Sequence, residues 1–237
     1  MGSSIGCALI TGAGSGIGRA TAQAFAEAGI DLALVSRSPA KLDEVAATVA
    51  QTGVTVKTYP LDLAVVDQVN AAISQIAAEL PIDILVNNAG IAQTGEVLST
   101  SLSDWQRVID LNLTSVFQCI QAVLPGMRER QRGTIVNVSS IAAHHTFAGW
   151  GAYSVSKAGI ASLSKVLAAE ERAYGIRVAV ITPGAVNTPI WDTIPEEFDR
   201  SQMLTPDVVA QSILHTVLLP PQAVIDELIV MPRAGAI

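Results

Sequence analysis

At 237 residues, half of them hydrophobic and 15% charged, the chain carries enough apolar material for one large α/β core and is too apolar to be disordered. A formal net charge of −7 without any basic stripe excludes a nucleic-acid footprint. Cys7 and Cys119 lie far apart with no Cys-x-x-Cys, which points to reduced thiols and a cytoplasmic setting; no leader and no apolar run near ~18 residues suggests a membrane partner.

The first apolar run, Cys7 to Thr11, ends in glycines and reads as a buried parallel strand. Thr11-Gly12-Ala13-Gly14-Ser15-Gly16-Ile17-Gly18 follows, and Arg19 to Ala28 has helical spacing. Strand, glycine turn and helix can cradle a pyrophosphate, because glycines let the backbone approach and the helix N-terminus offers free N–H groups. The spacing is Gly12-x-x-x-Gly16-x-Gly18, with Ile17 where the third glycine of G-x-G-x-x-G would fall. A plain tight turn is the competing account.

Leu32 to Ser36 reads as the second strand, and Pro39 opens a helix to about Ala50. An acidic residue closing this strand would accept bonds from adenosine ribose hydroxyls. Ser36-Arg37 stands there instead, and an arginine can pair with a 2′-phosphate, which points to NADP. A solvated strand-end arginine would leave the same pattern. Val54 to Tyr59 alternates as a third strand, Asp62 follows near the expected adenine, and Val65 to Glu79 is helical. Asp83 to Val86 is a fourth strand leading into Asn87-Asn88-Ala89-Gly90, either a turn or a pin for strand ends beside a cofactor.

Leu102 to Arg130 is a long helical pattern in which Pro125-Gly126 offers a place for a break. Ser103 resembles its N-cap, and Asn112, mid-helix among apolar residues, needs partners for its amide. Gly133 to Val138 is a fifth strand ending in Ser139-Ser140. The loop from Ile141 to Trp150 carries His144, His145 and Phe147; the adjacent histidines lack a third ligand at metal spacing, so no metal is expected. A helix from Gly151 to Ala173 places Tyr153 and Lys157 four residues apart on one face. A neighbouring ammonium favours a phenolate, so Lys157 is expected to lower the Tyr153 pKa. Ile176 to Ile181 is a sixth strand closed by Thr182-Pro183-Gly184, and the irregular stretch from Asn187 to Met203 reads as a lid. A helix from Pro206 to about Leu218 and a strand from Leu228 to Met231 complete the pattern.

Strands alternating with helices predict a Rossmann-type doubly wound parallel α/β sheet of about seven strands, with helices on both faces, in one domain over residues 1–237. Ligands of such sheets bind beyond the carboxyl ends of the strands. The glycine turn, Ser36-Arg37, Asn87–Gly90, Ser139-Ser140 and Pro183-Gly184 all follow strands, so the topology gathers them on one edge.

With these motifs the chain resembles the short-chain dehydrogenase/reductase family over nearly its whole length. Thr11-Gly12-x-x-x-Gly16-x-Gly18 is similar to the family's cofactor motif, Asn87-Asn88-Ala89-Gly90 to its central motif, and Tyr153-x-x-x-Lys157 to its catalytic pair. The family's serine lies thirteen residues before the tyrosine, which selects Ser140 over Ser139, and its asparagine maps to Asn112. The resemblance implies NADP(H) held by Gly12, Ser15, Gly16, Ile17, Gly18, Ser36, Arg37, Asp62, Leu63, Asn88, Ala89, Gly90, Tyr153, Lys157, Pro183, Gly184, Val186 and Thr188. It further implies hydride transfer between nicotinamide and a small-molecule carbonyl or alcohol. Ser140 would orient the substrate oxygen and Tyr153 would act as general acid/base. Lys157 would tune Tyr153 and hold the ribose, and Asn112 would anchor a water linking Lys157 to solvent. The chain departs from the family at Ser15, where NADP-preferring members often carry a basic residue. Its stretch between Thr188 and Pro206 is also short, which suggests an open pocket.

Trp150, His144, His145, Ile190 and Trp191 are expected to form the substrate wall. The family commonly pairs the long helices 102–124 and 151–173 into a homodimer and forms homotetramers through the last strand. Reduction of 3-oxoacyl thioesters on a carrier protein and non-catalytic NADP sensing are the competing functions.

Overall fold

The computed structural model describes residues 6–195 and 197–235. Its strands are β1 (Cys7–Thr11), β2 (Asp31–Ser36), β3 (Val56–Pro60), β4 (Ile82–Asn87), β5 (Gly133–Val138), β6 (Ile176–Pro183) and β7 (Glu227–Val230). All seven lie in one sheet in the order β3-β2-β1-β4-β5-β6-β7, and every neighbouring pair is parallel. The order reverses between β1 and β4, which opens a crevice at the carboxyl ends of these two strands. The doubly wound reading of the sequence therefore holds.

Apolar side chains alternate along each strand, and the two faces bury different helices. Ala8, Ile10, Leu32, Leu34, Val86 and Val136 pack under α1 (Gly16–Glu27), α2 (Pro39–Val49) and α7 (Pro206–Val217). Cys7, Leu9, Leu85, Ile135 and Val178 pack under α3 (Val66–Glu79), α5 (Ser115–Arg130) and α6 (Gly151–Glu171). The shift of one residue along a strand thus decides which helix layer a side chain meets.

Three expectations for the long helix change. Its N-cap is Ser101, whose Oγ accepts a 3.1 Å bond from the Asp104 N–H, and not Ser103, because α4 (Leu102–Ile109) begins one residue after Ser101. No break occurs at Pro125, which sits inside α5. Pro125 and Gln121, whose carbonyl loses its partner there, are both exposed, so the freed group lies open to solvent. The irregularity lies upstream instead, as a π turn over Asp110–Thr114 that contains Asn112. The combined helix Leu102–Arg130 is also long and apolar enough to cross a membrane by length and composition, contrary to the run-length reading. Here Val116, Cys119, Ile120, Val123 and Met127 bury it against the sheet.

The stretch after β6 holds two 3-10 turns, Pro189–Thr193 and Arg200–Gln202. Its base is stitched by Asn187 N–H to the Leu204 carbonyl and Leu204 N–H to the Ala185 carbonyl, each 2.9 Å. Glu196 within it lies outside the described residues.

Candidate functional site

The glycine turn joins β1 to α1 by close approach. Gly12 has a left-handed φ of 66°, and a Cβ there would lie 2.9 Å from the Ala89 Cα. A Cβ at Gly18 would strike the Gly12 carbonyl oxygen, so Gly18 lets α1 sit on the strand end and does not itself face the cleft. Ser15 caps α1 with extended backbone and no side-chain bond, and the first turn carries no acid. The amides there stay available to an anion, with the helix dipole in support.

The turn after β4 is tied to β1. Thr11 Oγ1 accepts from the N–H groups of Asn88 at 3.0 Å and Ala89 at 3.1 Å. Asn88 Nδ2 donates to the Thr11 carbonyl at 3.0 Å. Thr11 and Asn88 therefore hold the crevice walls at a fixed separation, and Asn88 acts first as a tie between strands.

A cavity of about 770 Å³ runs from Ser36, Arg37 and Lys41 past the glycine turn to Tyr153 and Lys157. Of the expected residues, Gly12, Ser15, Gly16, Ile17, Ser36, Arg37, Asp62, Leu63, Asn88, Ala89, Gly90, Ser140, Tyr153, Lys157, Pro183, Gly184, Val186 and Thr188 line it. Gly18 and Asn112 do not. Lys41 was missed: it stands in the first turn of α2, where its stem packs near Gly14, and among the described residues neither it nor Arg37 forms an ion pair. The only sequence signal for it was a cation four residues beyond Arg37. Two cations on one rim, a glycine cradle and an acid-free helix start are the parts a dinucleotide with an extra phosphate needs.

At the other end, Lys157 Nζ donates 2.9 Å to the Val138 carbonyl and stands 5.7 Å from the Tyr153 ring centroid. Ser139 Oγ is committed to the Lys157 carbonyl at 3.0 Å, while the Ser140 hydroxyl reaches the Tyr153 phenol. Of the two serines, Ser140 is thus the one that faces Tyr153. Burial raises the Tyr153 pKa, against the lowering effect of its bond with Ser140. Burial also pushes Lys157 down to about 8. The expectation that Lys157 lowers the Tyr153 pKa is corrected: the ammonium faces the ring and the Val138 carbonyl, and desolvation prevails for both groups.

Asn112 is fully buried behind the cleft. Its Oδ1 accepts from the Ile91 N–H at 2.9 Å, and its Nδ2 donates to the Ile91 carbonyl at 2.9 Å and to Ser156 Oγ at 3.1 Å. Ser156 in turn donates to the Tyr153 carbonyl at 2.7 Å. Both amide hydrogens are thus spent on protein, which leaves one acceptor position on Oδ1 for the expected water. What the side chain visibly does is bind α6 to the end of β4. Gly90 permits this, since a Cβ there would lie 3.2 Å from Asn112 Oδ1.

Trp150, Ile190 and Trp191 line the cavity as expected, joined by Phe147 and Phe198, which no periodic pattern marks. The histidines do not. His144 Nε2 lies 2.6 Å from Glu227 Oε1, which also accepts 2.9 Å from Thr182 Oγ1, and His145 is exposed outside the cavity. Burial opposes ionisation of Glu227, but these two hydrogen bonds outweigh it and hold its carboxyl below the usual range. Glu227 thereby ties the loop after Ser140 to β6 just before Pro183.

A family model described as short chain dehydrogenase matches residues 6–199. An oxidoreductase of Staphylococcus saprophyticus is 31% identical over 97% of this chain and 96% of its own length. The 3-oxoacyl-(acyl-carrier-protein) reductase of Thermotoga maritima is 34% identical over 87% of each chain. Among solved structures, a metagenomic short-chain oxidoreductase in complex with NADP superposes with a TM-score of 0.85, at 29% identity and 97% coverage of both chains. A Sphingobium yanoikuyae short-chain dehydrogenase in complex with NADPH gives 0.84, at 31% identity over 97% of this chain and 88% of its own.

Proposed function

The chain belongs to the short-chain dehydrogenase/reductase family, and on that premise we propose that it is an NADP-dependent oxidoreductase interconverting a carbonyl and an alcohol. The observation that carries this reading is the buried Tyr153 phenol bonded to Ser140, at the far end of a cleft whose outer rim bears Arg37 and Lys41. The relatives solved with NADP and NADPH support the choice of cofactor.

NADPH, when bound, would supply a hydride to the carbonyl carbon, itself being oxidised to NADP⁺. The chain's residues do the rest. Arg37 and Lys41 would hold the 2′-phosphate, and the first-turn amides of α1 would hold the pyrophosphate. Ser140 donates to the substrate oxygen and orients it. As the C=O π bond opens onto oxygen, Tyr153 gives that oxygen its proton. A raised phenol pKa keeps the proton in place at neutral pH, so the group stands ready as an acid in the reductive direction. Lys157, beneath the ring and titrating near 8, replaces the proton. Asn112 holds α6 so that this geometry persists.

Stopped-flow oxidation of NADPH against aldehydes, ketones, diketones and acetoacetyl thioesters tests the reading. NADPH binding without turnover of any carbonyl would replace it with a dinucleotide sensor. The Thermotoga maritima relative favours 3-oxoacyl thioesters as a second reading, which the same panel separates. We read Phe117, Val155 and Val166, exposed on α5 and α6, as the surface on which two copies pair, with the β7 edge and its exposed Ile229 available for a tetramer. Light scattering showing a monomer at micromolar concentration would remove that part.

A further inference from the structure

The cleft is chemically divided, and the division names a substrate class. The chain has only four phenylalanines, three tryptophans and three tyrosines. Five of these, Phe147, Trp150, Tyr153, Trp191 and Phe198, gather at the reactive end. They come from three separate segments: the loop after β5, the start of α6 and the turn after β6. Trp150 meets Tyr153 edge-on at 5.4 Å and Trp191 at 5.9 Å, and Trp191 meets Phe198 at 4.7 Å. The Trp191 ring is fixed by its Nε1–H, which donates 2.8 Å to the Val186 carbonyl. These contacts assemble the wall, and its half-buried rings keep apolar faces turned to the cavity.

The charged side chains on the cavity lining are Arg37, Lys41 and Asp62 at the rim and Lys157 beneath Tyr153. No other charge lines the reactive end among the described residues. An anionic keto acid would lose its hydration there without gaining a cation. An acidic carrier protein would meet a chain of net charge −7. A rigid ring, by contrast, gains stacking and burial against these aromatic side chains and has little conformational freedom of its own to lose.

We propose that the substrate is a neutral ketone with an aryl or alicyclic ring next to the carbonyl, the ring resting on the wall of Trp150, Trp191 and Phe147. This rests on the oxidoreductase reading above. Hydride and proton arrive as already described, and the ring takes no part in bond making.

The test is kcat/KM with NADPH for a phenyl ketone, a short aliphatic ketone, a 2-keto acid and acetoacetyl thioester. Wild type and the Trp191→Ala and Phe147→Ala variants are compared, with NADPH binding measured by fluorescence as the check on folding. The phenyl ketone should lead the others by at least about tenfold, the scale on which apolar pockets discriminate. Each variant should compress that lead by about tenfold. A lead for the keto acid or thioester, or a lead unchanged in both variants, overturns the proposal while leaving the oxidoreductase intact. Turnover of no carbonyl by a chain that binds NADPH overturns both.

Discussion

The two ends of the cleft are built by different means. At the rim stand two exposed side chains, Arg37 and Lys41, on backbone that the glycine turn and α2 fix independently. At the reactive end the supporting polar groups are bonded inward: Lys157 to Val138, Ser139 to Lys157, Asn112 to Ile91 and Ser156, Ser156 to Tyr153. Water screens the first kind of site and leaves it easy to retune. Low dielectric strengthens the second kind and makes each lost partner costly. Substitutions at the rim should therefore redirect the protein, and substitutions at the reactive end should silence it.

The largest expected effect is at the reactive end. Tyr153→Phe keeps the ring and its contact with Trp150 but removes the proton. The expected fall in kcat is at least the ~10²-fold of a lost general acid, with NADPH affinity little changed. Near-normal turnover would deny Tyr153 the role of acid.

Next comes redirection at the rim. Charge-assisted hydrogen bonds contribute about 1.5–3 kcal/mol, or roughly ten- to a hundredfold in selectivity, toward the lower end at an exposed site. Replacing Ser36 by Asp and Arg37 by Ile should reverse the preference for NADPH over NADH in kcat/KM. Lys41→Ala alone should reduce it by several-fold, since Arg37 remains. A ratio unmoved by both changes would mean that the rim cations are solvated and idle.

A smaller effect measures what burial does to Lys157. Its folded-state pKa, near 8, is depressed below the ~10.4 of an unfolded chain. Between these values the unfolded state binds more protons, so this group adds stability as pH rises from about 8 to about 10.4. Lys157→Met removes that increment. Denaturant midpoints of the two forms should therefore converge as pH rises across this window, the variant being relatively more stable at pH 7. Parallel profiles would show that Lys157 is hydrated in solution.

The smallest effect concerns the wall. Among its described residues, segment 189–204 has few regular hydrogen bonds, and it carries two prolines, so its amides should exchange faster than those of β5 and gain protection with NADPH. Exchange as slow as in β5, unchanged by NADPH, would leave the stretch as a fixed wall with no lid function.

Sequence pattern exposed most of this architecture because the parallel strands are buried on both faces and their ends carry glycine, asparagine and serine. It failed where a contact joins distant segments. The Glu227–His144 pair spans 83 positions, and the aromatic wall draws on three stretches with no common period. It found the need of Asn112 for partners but failed at the π turn around it, because apolar residues on both sides continue a helical rhythm across that turn. The direction of the Tyr153 shift depends on burial, which adjacency to Lys157 in sequence does not report.

That π turn has a meaning for heredity as well as for geometry. A π turn holds one residue more than the α-helix around it requires. Loss of a single codon within Asp110–Thr114 would let the helix close into a regular spiral. The helix on either side would keep its phase, because the π turn already absorbs that residue within a single turn, and only the side chains of the turn itself would be re-aimed. Asn112 would swing away from Ile91 and Ser156, while the glycine turn, the sheet and the rim cations would keep their places. One three-base deletion thus separates this chain from a descendant that still grips the dinucleotide but has lost the brace behind Tyr153 and Lys157.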